Sequence, residues 1–203
     1  MRTNLERWEF LWARLALAGD AALWHERLVA AYAEEGRAYH GLTHLEECLE
    51  VFDFVSGNAV IHGPDVLEMA LWFHDAVYDS RRSDNEERSA DWAVEALGDG
   101  ELGREVSRCT LLTKGHEPGT GLDDGWLLDI DLSIFGRSWN RVSEYERQIR
   151  SEYDWVDEAT YRTKRREILE AFLARPHIYL TDLFRDRFEK TARENLARLI
   201  EAL

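Results

Sequence analysis

The chain predicts an all-α fold, a compact bundle of about nine or ten helices, on three observations. Apolar residues recur at spacings of three and four along most of the 203 residues, as one buried face of a helix requires. No run alternates apolar and polar residues with the period of two that a half-buried strand shows. The breaks between periodic segments carry capping and turn residues, without an internal repeat or a low-complexity linker.

Leu5, Trp8, Leu11, Trp12 and Leu15 mark the first amphipathic helix, opened by Thr3 and Glu6 at capping-box spacing. The second follows Asp20 through Leu23, Trp24, Leu28, Val29 and Tyr32 and ends near Gly36, where glycine can form a left-handed cap. Residues 43–56 make a third, opened by Thr43 and Glu46 and buried through Leu45, Cys48, Leu49 and Phe52. Pro64 starts a fourth that runs through Met69 and Trp72 to His74. Ser83 and Glu86 open the next, which carries Ala90, Ala93 and Leu97 and stops at Gly98 and Gly100; another spans about 102–113. Residues 114–125, with Pro118 and three glycines before Asp123, form the one long loop, a candidate lid. A short helix over 126–135 contains Asp129 and Asp131, and longer patterns near 138–153, 157–174 and 181–202 complete the chain. The length fits one domain, 1–203, with a ligand-bearing core at about 37–135 and helices 138–203 packed on it.

Lysine and arginine number 25 against 40 acids, and the resulting charge of −15 repels polyanions, so a nucleic acid polymer is not an expected partner. A small phosphorylated substrate is compatible with that charge if the site supplies local positive charge of its own. Cys48 and Cys109 lie in helical apolar patterns without a CxxC, which points to core residues rather than a disulfide or zinc-thiolate site. The first residues lack a signal-peptide core, and no apolar run approaches the roughly 20 residues of a membrane helix. A cytoplasmic protein without a membrane partner is the expectation, and a homodimer is an open option.

The stretch Leu71-Trp72-Phe73-His74-Asp75-Ala76-Val77-Tyr78 carries the chemistry, because it sets a histidine and an aspartate directly after an apolar run. An aspartate there needs a cation, several donors or an exit to solvent. The plainer alternative is a helix end, with His74 near the negative pole and Asp75 in the turn. Upstream, Tyr39-His40-Gly41-Leu42-Thr43-His44 offers two more histidines one helical turn apart; downstream, Asp129-Ile130-Asp131-Leu132-Ser133 offers carboxylates. Imidazoles and carboxylates together suit Mn, Fe, Co, Ni or Zn, and with more oxygen character Mg. Two histidines and two aspartates neutralise a divalent ion, and four ligands on a six-coordinate ion leave room for a water and a substrate oxygen.

In this order, His44, His74-Asp75 and Asp131 resemble the metal-binding signature of the HD-domain metal-dependent phosphohydrolase superfamily, whose fold is all-helical. The segment from Tyr39 to His44 resembles the Tyr-His-Asn-x-x-His segment of the helical cyclic nucleotide phosphodiesterases, in which the first histidine is a proton donor and the second binds metal; Gly41 stands where that pattern has Asn. Asp131-Leu132-Ser133 resembles their Asp-Leu-Ser, which favours Asp131 over Asp129 as ligand. A closer resemblance, over most of the chain, is to small bacterial predicted HD phosphohydrolases, through Phe73-His74-Asp75-Ala76-Val77-Tyr78, Asp84-Asn85-Glu86-Glu87-Arg88-Ser89-Ala90 and Asp129-Ile130-Asp131-Leu132.

The resemblance implies one divalent metal ion on His44, His74, Asp75 and Asp131, and hydrolysis of a phosphomonoester, with a nucleotide or nucleoside monophosphate expected. Around that site His40 is a candidate acid for the leaving oxygen or holder of a phosphate oxygen, and Glu86 a candidate for orienting water. Lys114 and His116 are candidates for phosphate binding, with His116 also a candidate ligand of a second metal. Arg165, in the basic cluster Arg162, Lys164, Arg165 and Arg166, is the candidate for a further phosphate contact; the competing explanation is a solvated helix face. Alternative functions are a phosphodiesterase on cyclic or linear dinucleotides and a non-catalytic nucleotide-sensing domain. Di-iron oxygenation ranks last, since His116 alone adds a histidine between His74 and Asp131.

Overall fold

A computed structural model describes residues 1–203 and contains ten α-helices, one 3-10 helix and no strand. In chain order the helices are α1 Leu5–Arg14, α2 Ala21–Tyr32, α3 Leu42–Asn58, α4 Pro64–Phe73, α5 Asn85–Leu97, α6 Glu101–Leu112, α7 Asp124–Asp131, α8 Trp139–Glu152, α9 Glu158–Ala174 and α10 Asp182–Ala202. The 3-10 helix, Leu132–Gly136, follows α7. The chain gathers into two units, Met1–Asp131 and Leu132–Leu203. No helix is long and apolar enough to cross a membrane.

Helix starts show where local and tertiary signals compete. Asp20 caps α2, its side chain accepting from Leu23 N, and Pro64 occupies the first turn of α4. The two expected capping boxes do not form. Thr3 and Glu46, one from each, bind each other instead: Glu46 accepts the Thr3 backbone N–H at 2.8 Å and the Thr3 hydroxyl, together with Arg2 N at 2.7 Å. Asn4 therefore caps α1, accepting from Arg7 N, and α3 starts after Gly41 without a side-chain cap. The expected end of α2 near Gly36 also moves: the helix stops at Tyr32, and Gly36, at φ +96°, turns the following segment instead. The expected helix 126–135 is two pieces, because the backbone tightens from α to 3-10 winding after Asp131.

In the first unit the core is aromatic. Trp8 packs its ring 5.1 Å from Trp72 and 6.2 Å from Phe73, and Trp24 lies 6.2 Å from Phe73 on another side. Each such pair adds roughly 0.5–1.5 kcal/mol beyond the area it buries. Every residue of α4 from Leu67 to Phe73 is buried, so the chain emerges from this helix already in the interior, and His74 is its C-cap. Asp123 closes the other end of α4, accepting from His62 N at 3.0 Å and Gly63 N at 2.7 Å. In the second unit Asn195 donates to the carbonyls of Phe135 and Arg137, and Arg165 is buried against Glu146.

Ser89 on α5 holds the strand-like exit from the His74-Asp75 turn. Its hydroxyl accepts from Val77 N at 3.0 Å and lies 3.2 Å from Val77 O, with the side chain fully buried. Replacing it with alanine leaves a buried N–H and carbonyl unpaired, at about 1–3 kcal/mol. Urea denaturation of Ser89→Ala is expected to show a loss of that size with an unchanged m-value.

Candidate metal centre

Three helix ends deliver the four expected ligands. His44 sits in the first turn of α3, His74 caps the C-terminus of α4 with Asp75 next in the turn, and Asp131 is the last residue of α7. His44 Nε2 lies 3.0 Å from His74 Nε2, 3.2 Å from Asp131 Oδ1 and 3.5 Å from Asp75 Oδ2. His74 Nε2 lies 3.2 Å from Asp75 Oδ2 and 3.6 Å from Asp131 Oδ1. Metal–nitrogen and metal–oxygen bonds of about 2.0–2.2 Å set neighbouring donors about 2.8–3.6 Å apart, over octahedral and tetrahedral angles alike. The donor spacing fits a single ion.

The tautomers fit as well. His74 Nδ1 donates to the Leu71 carbonyl at 2.8 Å, which turns Nε2 inward, the usual backbone anchor of a metal-binding imidazole. The imidazoles are almost fully enclosed, whereas the Asp75 and Asp131 side chains keep 16% and 12% of their surface, so the cluster opens on its carboxylate side.

Charge is concentrated here. Burial disfavours the His74 imidazolium, yet the Asp75 and Asp131 carboxylates outweigh it and raise the pKa to about 9. Burial likewise opposes ionisation of the two aspartates, but His74 beside Asp75, and His116 and His44 beside Asp131, hold both carboxyls well below the ordinary range.

Cys48, expected as a core residue, is buried and also joins this cluster: His44, Cys48, His74 and Asp131 present potential ligand atoms within 4.8 Å of one another. Its Sγ lies 3.7 Å from both ring nitrogens of His44. A point equidistant from both nitrogens is at least about 3 Å from any ion on the Nε2 lone-pair axis, beyond a Zn–S bond of about 2.3 Å. The thiol therefore packs beside the ring, and the two carboxylates are the better-placed partners. The signal was available, since position 48 is one helical turn after His44.

Arg37 and Tyr32, which carried no sequence signal, clamp the turn. The buried Arg37 guanidinium donates to Asp75 O at 2.6 Å, Ala76 O at 3.0 Å and His40 O at 3.4 Å. Tyr32 Oη accepts from Asp75 N at 3.2 Å and donates to Trp72 O at 3.3 Å. Gly41 explains its own departure from the phosphodiesterase pattern: a Cβ there would stand 3.1 Å from the Tyr32 carbonyl oxygen and 3.3 Å from that of Arg37.

The remaining candidates divide. His40 is half-buried, stacked on Tyr78 at 4.1 Å and 6.1 Å from the His44 ring. His116 Nε2 reaches Asp131 Oδ2 at 2.9 Å. Glu86 is in the first turn of α5, half-buried. Lys114 is turned away to Glu87 and the Ser83 carbonyl, so its ammonium is already neutralised by a carboxylate. Arg165 corrects the expectation of a solvated or phosphate-facing side chain: it is 8% exposed, ion-paired with Glu146 at 2.9 Å and set over the Tyr145 ring. Asp129 is fully buried. The 114–125 loop is pinned, with Asp124 accepting from Arg108 at 2.6 Å and from Gly121 N at 2.7 Å.

Comparison with protein-family models, curated proteins and solved structures finds no match to this chain.

The pKa shifts set a pH window for the metal-free protein. The raised His74 value contributes stability in full below its ordinary value of 6.5, and this is lost as pH rises through about 9. The lowered Asp75 and Asp131 values contribute above their ordinary 3.8, and this is lost as pH falls below it. In the presence of a chelator, melting temperature is expected to peak between about pH 4 and 6.5, with the alkaline decline suppressed by a saturating divalent ion; a flat profile from pH 6 to 10 would contradict the His74 assignment.

Proposed function

We propose that the protein is a metal-dependent phosphohydrolase of the HD-domain type, acting on a phosphomonoester of a small molecule, with a nucleotide or nucleoside monophosphate as the expected substrate. The observation that carries this reading is the meeting of His44, His74, Asp75 and Asp131 with donor atoms 3.0–3.6 Å apart, in the chain order of that superfamily's signature.

His44 and His74 contribute neutral nitrogens and the two aspartates contribute the charge that balances a divalent ion, with Mn, Co, Ni, Fe, Zn and Mg the candidates. A divalent ion held there supplies Lewis acidity that polarises a phosphoryl oxygen and acidifies water. The chain's own residues provide the rest. Arg37 and Tyr32 hold the backbone of Asp75 and so its carboxylate orientation. His40, fixed by its stack on Tyr78 and by Arg37 on its carbonyl, is the acid that protonates the leaving oxygen. The opening on the carboxylate side admits substrate and water while the imidazole side stays closed. Lys114 and Arg165 have no part in this reading, because each already serves a carboxylate.

A panel of nucleoside monophosphates and sugar phosphates, each assayed for phosphate release with Mn²⁺, Co²⁺, Ni²⁺ or Mg²⁺, tests the proposal. Release that depends on one of these ions, stops with chelator and is abolished in Asp75→Ala is expected. Metallated protein that releases no phosphate would reject the monoesterase reading, and turnover of cyclic nucleotides or dinucleotides would then replace it with a phosphodiesterase. Ligand binding with no turnover of any of them would make the domain a sensor.

A further inference from the structure

His116 stands outside the four-donor cluster and bonds one of its members. Its Nε2 donates to Asp131 Oδ2 at 2.9 Å, while Oδ1 of the same carboxylate faces His44 at 3.2 Å and His74 at 3.6 Å. The two oxygens of Asp131 thus face different sides, Oδ2 toward His116 and Oδ1 toward His44 and His74. The backbone is arranged for this: His116 N bonds Leu112 O at 3.2 Å beyond the end of α6, and the residue has φ +49°, in the left-handed region that side chains with a Cβ rarely adopt. Such conformations persist only where the surroundings enforce them, and they concentrate at functional sites. The bond to Asp131 and the backbone bond to Leu112 O hold His116 from both sides.

We infer that His116 is a positioning residue for Asp131, holding one carboxylate oxygen so that only the other faces the metal ion. This rests on the metal-centre reading above. Carboxylates bind ions through one oxygen or both. With Oδ2 engaged by the imidazole N–H, Asp131 would offer an ion held there one oxygen, which would leave a coordination position for water or a substrate oxygen. With that donor removed, the carboxylate is free to rotate and chelate, which fills the position.

Cobalt(II) serves as probe in the wild-type protein, His116→Gly and His116→Gln. Glycine accepts φ +49° without strain, so the first variant keeps its fold, as thermal melting would verify. Glutamine places an amide N–H near the position of the lost Nε2. Each protein is expected to bind one equivalent of cobalt. In His116→Gly the visible cobalt absorption should weaken as the coordination number rises, and metal affinity or turnover should fall about 10- to 100-fold. Free imidazole added to that variant, or glutamine at the position, should return the spectrum toward that of wild type; the His116 side chain is 22% exposed, so a solute can reach its place.

An unchanged spectrum in His116→Gly would overturn the inference, as would failure of both imidazole and glutamine to restore it. A second equivalent of cobalt in the wild type that His116→Gly loses would overturn it by making His116 a ligand. Wild-type protein that takes up no cobalt would remove the metal-centre reading itself, a result distinct from the others.

Discussion

Two imidazole nitrogens 3.0 Å apart, with carboxylate oxygens at 3.2–3.6 Å, form the constraint on which the first unit depends. Lone pairs and negative charges at that density repel one another, and burying an ion without compensation costs several kcal/mol even after relaxation. The arrangement is stable only with positive charge among the donors. A divalent ion meets the requirement with two charges, and a proton on His74 meets it in part. The cluster is therefore less a feature added to the fold than a condition the fold has to satisfy.

The means of satisfying it are the ends of helices. Histidine and aspartate are poorly matched to the interior of a buried helix, but α4 is buried from Leu67 to Phe73 and ends where they begin, so Trp72 and Phe73 carry His74 and Asp75 inward. The turn then has backbone groups that no helix ladder can pair. Tyr32, Arg37 and Ser89 take these up from α2, from the segment after it and from α5. Each bond is modest, about 1 kcal/mol in neutral cases and more for the guanidinium. Together they fix the direction of the Asp75 carboxylate.

Several basic residues of the first unit are spent on structure, with Arg37 on carbonyls, Lys114 on Glu87 and Arg108 on Asp124. With a net charge of −15, binding of the anionic substrate proposed above would depend on positive charge held at the cluster.

The periodicity of apolar residues by itself determined the all-helical fold and the approximate place of every helix, because a 3.6-residue repeat is a local property. The order of His44, His74-Asp75 and Asp131 pointed to a metal site through its resemblance to the HD-domain signature. Tertiary structure alone decided the rest. Thr3 and Glu46, each expected to cap its own helix, pair across 43 residues, because a side chain that can cap locally can also bond any N–H that packing brings near. The same holds for His116 on Asp131 and for Arg165, whose place in a basic run suggested solvent and which is buried against Glu146. Local spacing specifies which face of a helix a residue occupies; which neighbour that face meets is set only when the helices pack.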